Sequence, residues 1–125
     1  MTRARSLLPA IDDLERRRPV WEALSTLFLD TDASLDRRWR AQVLADSRYS
    51  LDELEEILLS EVYSACSGNL RSIAGEWAGF DPEWLEDRIL SRRPARIHRF
   101  TPGKLLFTAE WRHTKAEIRS LRASE

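Results

Sequence analysis

Apolar residues recur along this chain at helical spacing, and short polar breaks cut the recurrence into segments. Val20, Ala23, Leu24, Leu27 and Phe28 follow the i, i+3, i+4 rule of a buried stripe, with Trp21 at its flank. They predict a helix that begins between Asp12 and Arg16 and runs to Leu29. Pro19 lacks the N–H that an interior helical position donates. Either the helix starts near Pro19, or a short basic turn of helix precedes it. Asp30-Thr31-Asp32-Ala33-Ser34 then breaks the pattern with residues that cap helix starts.

A second helix follows over about Leu35 to Asp46. Leu35, Trp39, Val43 and Leu44 are its expected core face, and Arg37, Arg38 and Arg40 are expected to face water. Ser47-Arg48-Tyr49-Ser50 makes a turn. Ser50 and Glu53 have the spacing of a capping box: the hydroxyl accepts from the third amide of the helix, and the carboxylate accepts from the cap amide. The third helix runs to about Ala65, with Leu51, Leu54, Ile57, Leu58 and Val62 as its stripe. Asp52, Glu53, Glu55 and Glu56 crowd its first turns, where the helix dipole favours negative charge.

Leu70, Ile73, Ala74 and Trp77 predict a fourth, shorter helix over about Asn69 to Ala78, ended by Gly79. Asp81-Pro82 opens a fifth, with Asp81 as cap and Pro82 at the first helical position. Trp84, Leu85 and Ile89 are its buried face. Residues 92–104 (RRPARIHRFTPGK) are basic and irregular. A last helix covers about Lys104 to Leu121, with Leu105, Leu106, Ala109, Ile118 and Leu121 as candidate contacts. The expected fold is all-α: a single-domain, irregular bundle of five or six short helices over residues 11–125, behind a flexible segment 1–10.

Composition supports that reading. Of the 125 residues, 42% are hydrophobic and 33% charged, which allows one core under a heavily solvated surface. Four glycines and five prolines are too few for the turns of an all-β fold. One cysteine, Cys66, excludes an internal disulfide framework and a cysteine-rich zinc site. No apolar run is long enough to span a membrane, and the apolar stretch near the start is too short for a signal peptide. A cytoplasmic protein is expected. Charge adds an asymmetry that the net value of −1 hides: residues 1–18 carry +2, residues 19–90 carry −9 and residues 91–125 carry +6. The basic end either packs on the acidic body, or one of the two is a recognition surface.

No catalytic constellation emerges. Glu110 and His113 form an E-x-x-H pair, but a di-iron bundle needs a second pair and two more glutamates. The remaining histidine, His98, lies in the irregular stretch, so neither a metal nor a cofactor is expected. Cys66 has no histidine near it in sequence. The second and third helices resemble a helix-turn-helix, yet the N-terminal residues that would enter the major groove are Asp52, Glu53, Glu55 and Glu56, which phosphates repel. Nucleic acid is therefore disfavoured, and Arg92, Arg93, Arg96, Arg99 and Lys104 are its one plausible contact. Glu76 and Asp81, flanking Trp77 and Phe80, and Asp30 and Asp32, at a helix break, are the remaining acid–base candidates.

Pro19-Val20-Trp21, Phe28-Leu29-Asp30-Thr31, Tyr49-Ser50-Leu51, Glu61-Val62, and above all the block from Ala74 to Asp81 (AGEWAGFD) with Trp84-Leu85 carry a family likeness. They resemble a family of small bacterial proteins built on a domain of unknown function. That resemblance implies a bacterial, cytoplasmic, stand-alone domain, and it transfers no catalytic residue.

The functional expectation is a non-enzymatic protein–protein interaction module, immunity-like or adaptor-like. Its acidic 50–61 and 76–87 surface would meet a protein partner with a basic surface. Glu76, Trp77, Asp81, Trp84, Glu53 and Glu56 are its candidate binding residues. A homodimer is compatible with the sequence. The alternatives are a ligand-binding or enzymatic pocket around Glu76–Trp84, and nucleic-acid contact through residues 92–104.

Overall fold

The apolar stripes fold into helices that share one core. The structure is a computed structural model that describes residues 7–28, 33–66, 81–91 and 104–124; for Ala33, Ser64, Cys66 and residues 104–107 it describes the backbone alone. Every regular element among the described residues is helical. A 3-10 turn (Ala10–Asp12) leads into α1 (Leu14–Ser25), which ends in a second 3-10 turn (Thr26–Phe28). A third (Ala33–Asp36) precedes α2 (Arg37–Asp46). Next, α3 (Leu51–Ile57) passes through a π-helical turn (Leu58–Val62) into α4 (Tyr63–Cys66). Then come α5 (Pro82–Ser91) and α6 (Lys104–Ala123). The fourth helix expected over Asn69 to Ala78, and the basic stretch up to residue 103, lie outside the described residues.

The core gathers Val20, Trp21 and Leu24 of α1, Ala41 and Leu44 of α2, Leu54 and Ile57 of α3, Leu58 and Val62 of the π turn, Leu85 and Ile89 of α5, and Trp111 and Ile118 of α6. α2 makes its most extensive contact with α6, and α1 packs on both α2 and α5. Leu7 and Ala10, within the segment expected to be flexible, pack against this core.

Local signals work as expected at two helix starts. Ser50 Oγ accepts from the Glu53 amide at 3.1 Å, and the Glu53 carboxylate accepts from the Ser50 amide at 2.8 Å. Asp81 Oδ2 accepts from the Trp84 amide at 2.9 Å, with Pro82 opening α5. α1 starts at Leu14 and continues through Pro19, so the second expected arrangement, a short basic turn of helix ahead of the proline, is the one adopted. Pro19 has no N–H to donate to the Glu15 carbonyl, and it stands on an exposed side of the helix.

α2 corrects the sequence reading. Leu35 and Trp39 are 77% and 47% exposed, and the buried residues are Arg40, Ala41, Leu44 and Ala45. The small Ala41 and Ala45 sit where α2 meets its neighbours, and Arg40, expected in water, is fully buried among polar partners. In α6 likewise, Ile118 is buried and Leu121 half-buried, but Ala109 is exposed, and Trp111 and Thr114 take the inward positions. The α2 end is sealed by Arg122 of α6, whose Nη2 donates to the carbonyls of Leu44, Ala45 and Tyr49 at 3.2, 3.2 and 2.7 Å. Arg48 follows at φ 71°, a left-handed position that glycine usually takes.

Candidate functional site

α1 and α5 frame a groove of about 550 Å³. Arg18, Pro19, Trp21 and Glu22 line it from α1, and Pro82, Glu83, Leu85, Glu86 and Asp87 from α5. Trp21 and Leu85 are buried and form its apolar floor, while Glu22, Glu83 and Asp87 are exposed at its rim. Arg18 is the one cation among these lining residues. Its Nε and Nη2 donate to the two oxygens of Glu86, at 2.8 and 3.1 Å. That fork holds the Glu86 carboxyl below, and the Arg18 guanidinium above, its ordinary range. Helical spacing explains the composition: Arg18 and Glu22 are four apart on α1, and Glu83, Glu86 and Asp87 are three and four apart on α5.

A buried polar network lies beneath the floor. Trp21 Nε1 donates to Glu61 Oε1 at 2.8 Å. Glu61 sits within the π-helical turn, a geometry that recurs at functional sites. Its other oxygen lies 3.8 Å from Arg17 Nη1, and Arg17 Nε lies 3.9 Å from Asp13 Oδ2. Arg17 is 1% exposed, and its Nε and Nη1 have no hydrogen-bond partner; only Nη2 is bonded, donating to the Leu8 carbonyl at 2.8 Å. Tyr49 OH donates to Asp13, and the Arg16 guanidinium lies 4.2 Å from the Tyr49 ring centre. Burial raises the Glu61 carboxyl above the usual carboxylate range, against the opposing pull of Trp21 and Arg17. Burial, reinforced by the bond to Asp13, also raises the Tyr49 phenol.

The family model of a domain of unknown function, DUF7079, matches residues 15–124. The chain belongs to this family. No curated protein and no solved structure matches it. The DUF7079 match takes in both walls of the groove, Glu61 and its arginine, and the α2–α6 interface.

The candidate residues named from sequence are scattered. Asp81 and Trp84 stand at the start of α5, beside the groove. The Asp81 carboxylate is engaged as a cap, and Trp84 is half-buried with the Arg88 guanidinium 5.6 Å from its ring centre. Glu53 is engaged in its capping box, and Glu56 is exposed on α3. Glu76 and Trp77 lie outside the described residues. Arg18, Glu22 and Glu61 were missed. Glu61 did carry a signal: a carboxylate three positions after Leu58, on the edge of the buried stripe.

The E-x-x-H pair of α6 serves another purpose. Glu110 accepts from Arg37 Nε and Nη2 at 2.6 and 2.8 Å and from Arg40 Nη1 at 3.2 Å, while His113 is exposed. The hydrogen bonds from Arg37 hold the Glu110 carboxyl below its ordinary range. No group of His, Cys, Asp and Glu among the described residues is arranged to hold a metal ion. No helix among them is long and apolar enough to cross a membrane. The acidic body and basic C-terminal helix do touch, since Glu55 accepts from Trp111 Nε1 at 3.1 Å and from Lys115 at 3.2 Å.

Proposed function

We propose that this DUF7079 domain is a non-enzymatic protein–protein interaction module that presents the α1–α5 groove to a basic segment of a partner. The observation that carries the reading is the groove itself. Glu22, Glu83, Glu86 and Asp87 outnumber Arg18 around an apolar floor. An apolar floor supplies binding energy and an acidic rim selects charge. Of the acid–base candidates, Asp81 is held in a cap, which leaves it unsuited to acid–base work; Glu76, Asp30 and Asp32 lie outside the described residues. Nucleic acid is repelled by the same rim. An immunity-like or adaptor-like role in a bacterial cytoplasm is the setting that fits such a module.

The test is a tagged purification from the native host, followed by the same purification with Glu83→Lys and Asp87→Lys together. One stoichiometric protein partner is expected, its affinity falling with added salt and lost in the double variant. Recovery of no stoichiometric partner, or retention of the partner by the variant, would overturn the reading.

A further inference from the structure

We propose that the α1–α5 groove is an arginine seat, and that Arg18 occupies it as an internal stand-in which a partner's arginine displaces. Such a seat presupposes the acidic groove of the interaction reading and adds the identity of the side chain it takes. The Arg18–Glu86 contact is a side-on fork, with two nitrogens of one guanidinium on two oxygens of one carboxylate, at 2.8 and 3.1 Å. An ammonium is a point charge and cannot reproduce that geometry, so the seat distinguishes arginine from lysine. Glu86 is the sheltered carboxylate of the groove, and Glu22, Glu83 and Asp87 are the exposed ones around it. A guanidinium entering from outside meets the exposed carboxylates first and Glu86 last.

The internal occupant is exchangeable. Arg18 is half-exposed, with 53% of its side chain open to solvent. Exposed ion pairs contribute little to stability. α1 and α5 are packed through other residues, Trp21 and Leu85 being buried in the common core, so the fork is not needed to hold them together. Displacement exchanges one guanidinium for another on the same carboxylate. The partner's arginine therefore enters against a competitor on the same chain, which weakens the apparent affinity until Arg18 is removed.

Calorimetric titration with hexa-arginine and hexa-lysine tests this on the full chain. The proteins are wild type, Arg18→Ala, Arg18→Lys and the double variant Glu83→Lys with Asp87→Lys, each first checked for an unchanged thermal melt. Wild type is expected to prefer hexa-arginine. Arg18→Ala should tighten hexa-arginine on the order of five-fold. Hexa-lysine should gain less, because it profits only from the lost positive charge. Arg18→Lys keeps the charge but gives up the fork, and it should retain most of the gain for hexa-arginine; it also carries the test if Arg18→Ala fails to fold. Equal binding of the two peptides by every variant, with loss in the double variant, overturns the arginine seat and leaves the acidic groove standing. No binding of either peptide, or binding that survives the double variant, overturns both.

Discussion

Arg40 and Arg17 are both sealed from solvent, at 0% and 1% exposure, and the protein treats them in opposite ways. Arg40 is matched by three side-chain partners on two other elements. Its Nε donates to Thr26 Oγ1 at 2.8 Å, and its Nη1 to Thr114 Oγ1 at 3.0 Å and Glu110 Oε2 at 3.2 Å. Arg37 shares Glu110, so the carboxylate is neutralised from two sides. Arg17 has two carboxylates near it, but both stand at ion-pair rather than hydrogen-bond distance, and two of its nitrogens donate to nothing. A buried charge is tolerated when its donors are used, and it burdens the fold when they are not. The Arg40 site is built to hold α2 on α6. The Arg17 site is a local compromise beneath the groove, beside a mid-helix proline and a π turn. Local rules broken together at one place mark function more often than architecture.

The largest test of that contrast is substitution by a flexible apolar residue of similar length. Arg40→Met should destabilise the protein by about 3 kcal/mol, because it strips partners from Thr26, Thr114 and Glu110 in the interior. Arg17→Met should cost less, about 2 kcal/mol, since one charge-assisted bond to the Leu8 carbonyl and two loose ion pairs are lost while Nε and Nη1 give up no hydrogen bond. Urea denaturation followed by tryptophan fluorescence measures both. Equal losses, or a larger loss at Arg17, would break the comparison.

The pH dependence sharpens it, because the carboxylates facing the two arginines are shifted in opposite directions. Glu110 is lowered, so its contribution to stability is present above the unfolded carboxylate range and is lost as pH falls through its folded value. Glu61 is raised, so its contribution is fully present below the unfolded carboxylate range and is lost as pH rises through its folded value. Above the unfolded carboxylate range Glu61 therefore burdens the fold, more so as pH rises toward its folded value. Glu61→Gln should be more stable than wild type at pH 7, with the advantage vanishing below pH of about 4. Glu110→Gln should be less stable at pH 7, and its deficit should shrink only as the pH falls below the same range. Stability curves for the two variants that differ from wild type in the same direction would contradict this account.

How far these sites could be read in advance follows from the same physics. α3 was legible because a capping box and an unbroken apolar stripe agree on its start and its face. α5 was legible for a similar reason: Asp81-Pro82 fixes the start, and Leu85 and Ile89 fix the face. α2 was not, because Arg40 has the spacing of a core residue, four before Leu44, and the chemistry of a surface one. The partners that make its burial tolerable, Thr26, Glu110 and Thr114, come from distant parts of the chain. Arg17 hides in the same manner, three after Leu14 and four before Trp21. The acidic half of the groove on α5 falls within the 76–87 surface expected from charge. Its other wall, Arg18, Pro19 and Glu22, comes together with it only through the packing of α1 on α5.

The smallest effect is also the most specific. Coupling between two side chains can be isolated by a double-mutant cycle, which cancels whatever each substitution does to the rest of the fold. Thr114→Val keeps the shape of Thr114 and removes the oxygen that accepts from Arg40. Combined with Arg40→Met, it should reveal a coupling of about 1.5 kcal/mol, the low end of the range for a hydrogen bond to a charged group. Asp13→Asn combined with Arg17→Met probes the corresponding pair beneath the groove. Asp13 lies 3.9 Å from Arg17 and is bonded to Tyr49 instead. A separated pair with no shared proton should couple by only a few tenths of a kcal/mol. If the Asp13–Arg17 coupling equals the Thr114–Arg40 coupling, Arg17 is as well served as Arg40, and the compromise read beneath the groove does not exist.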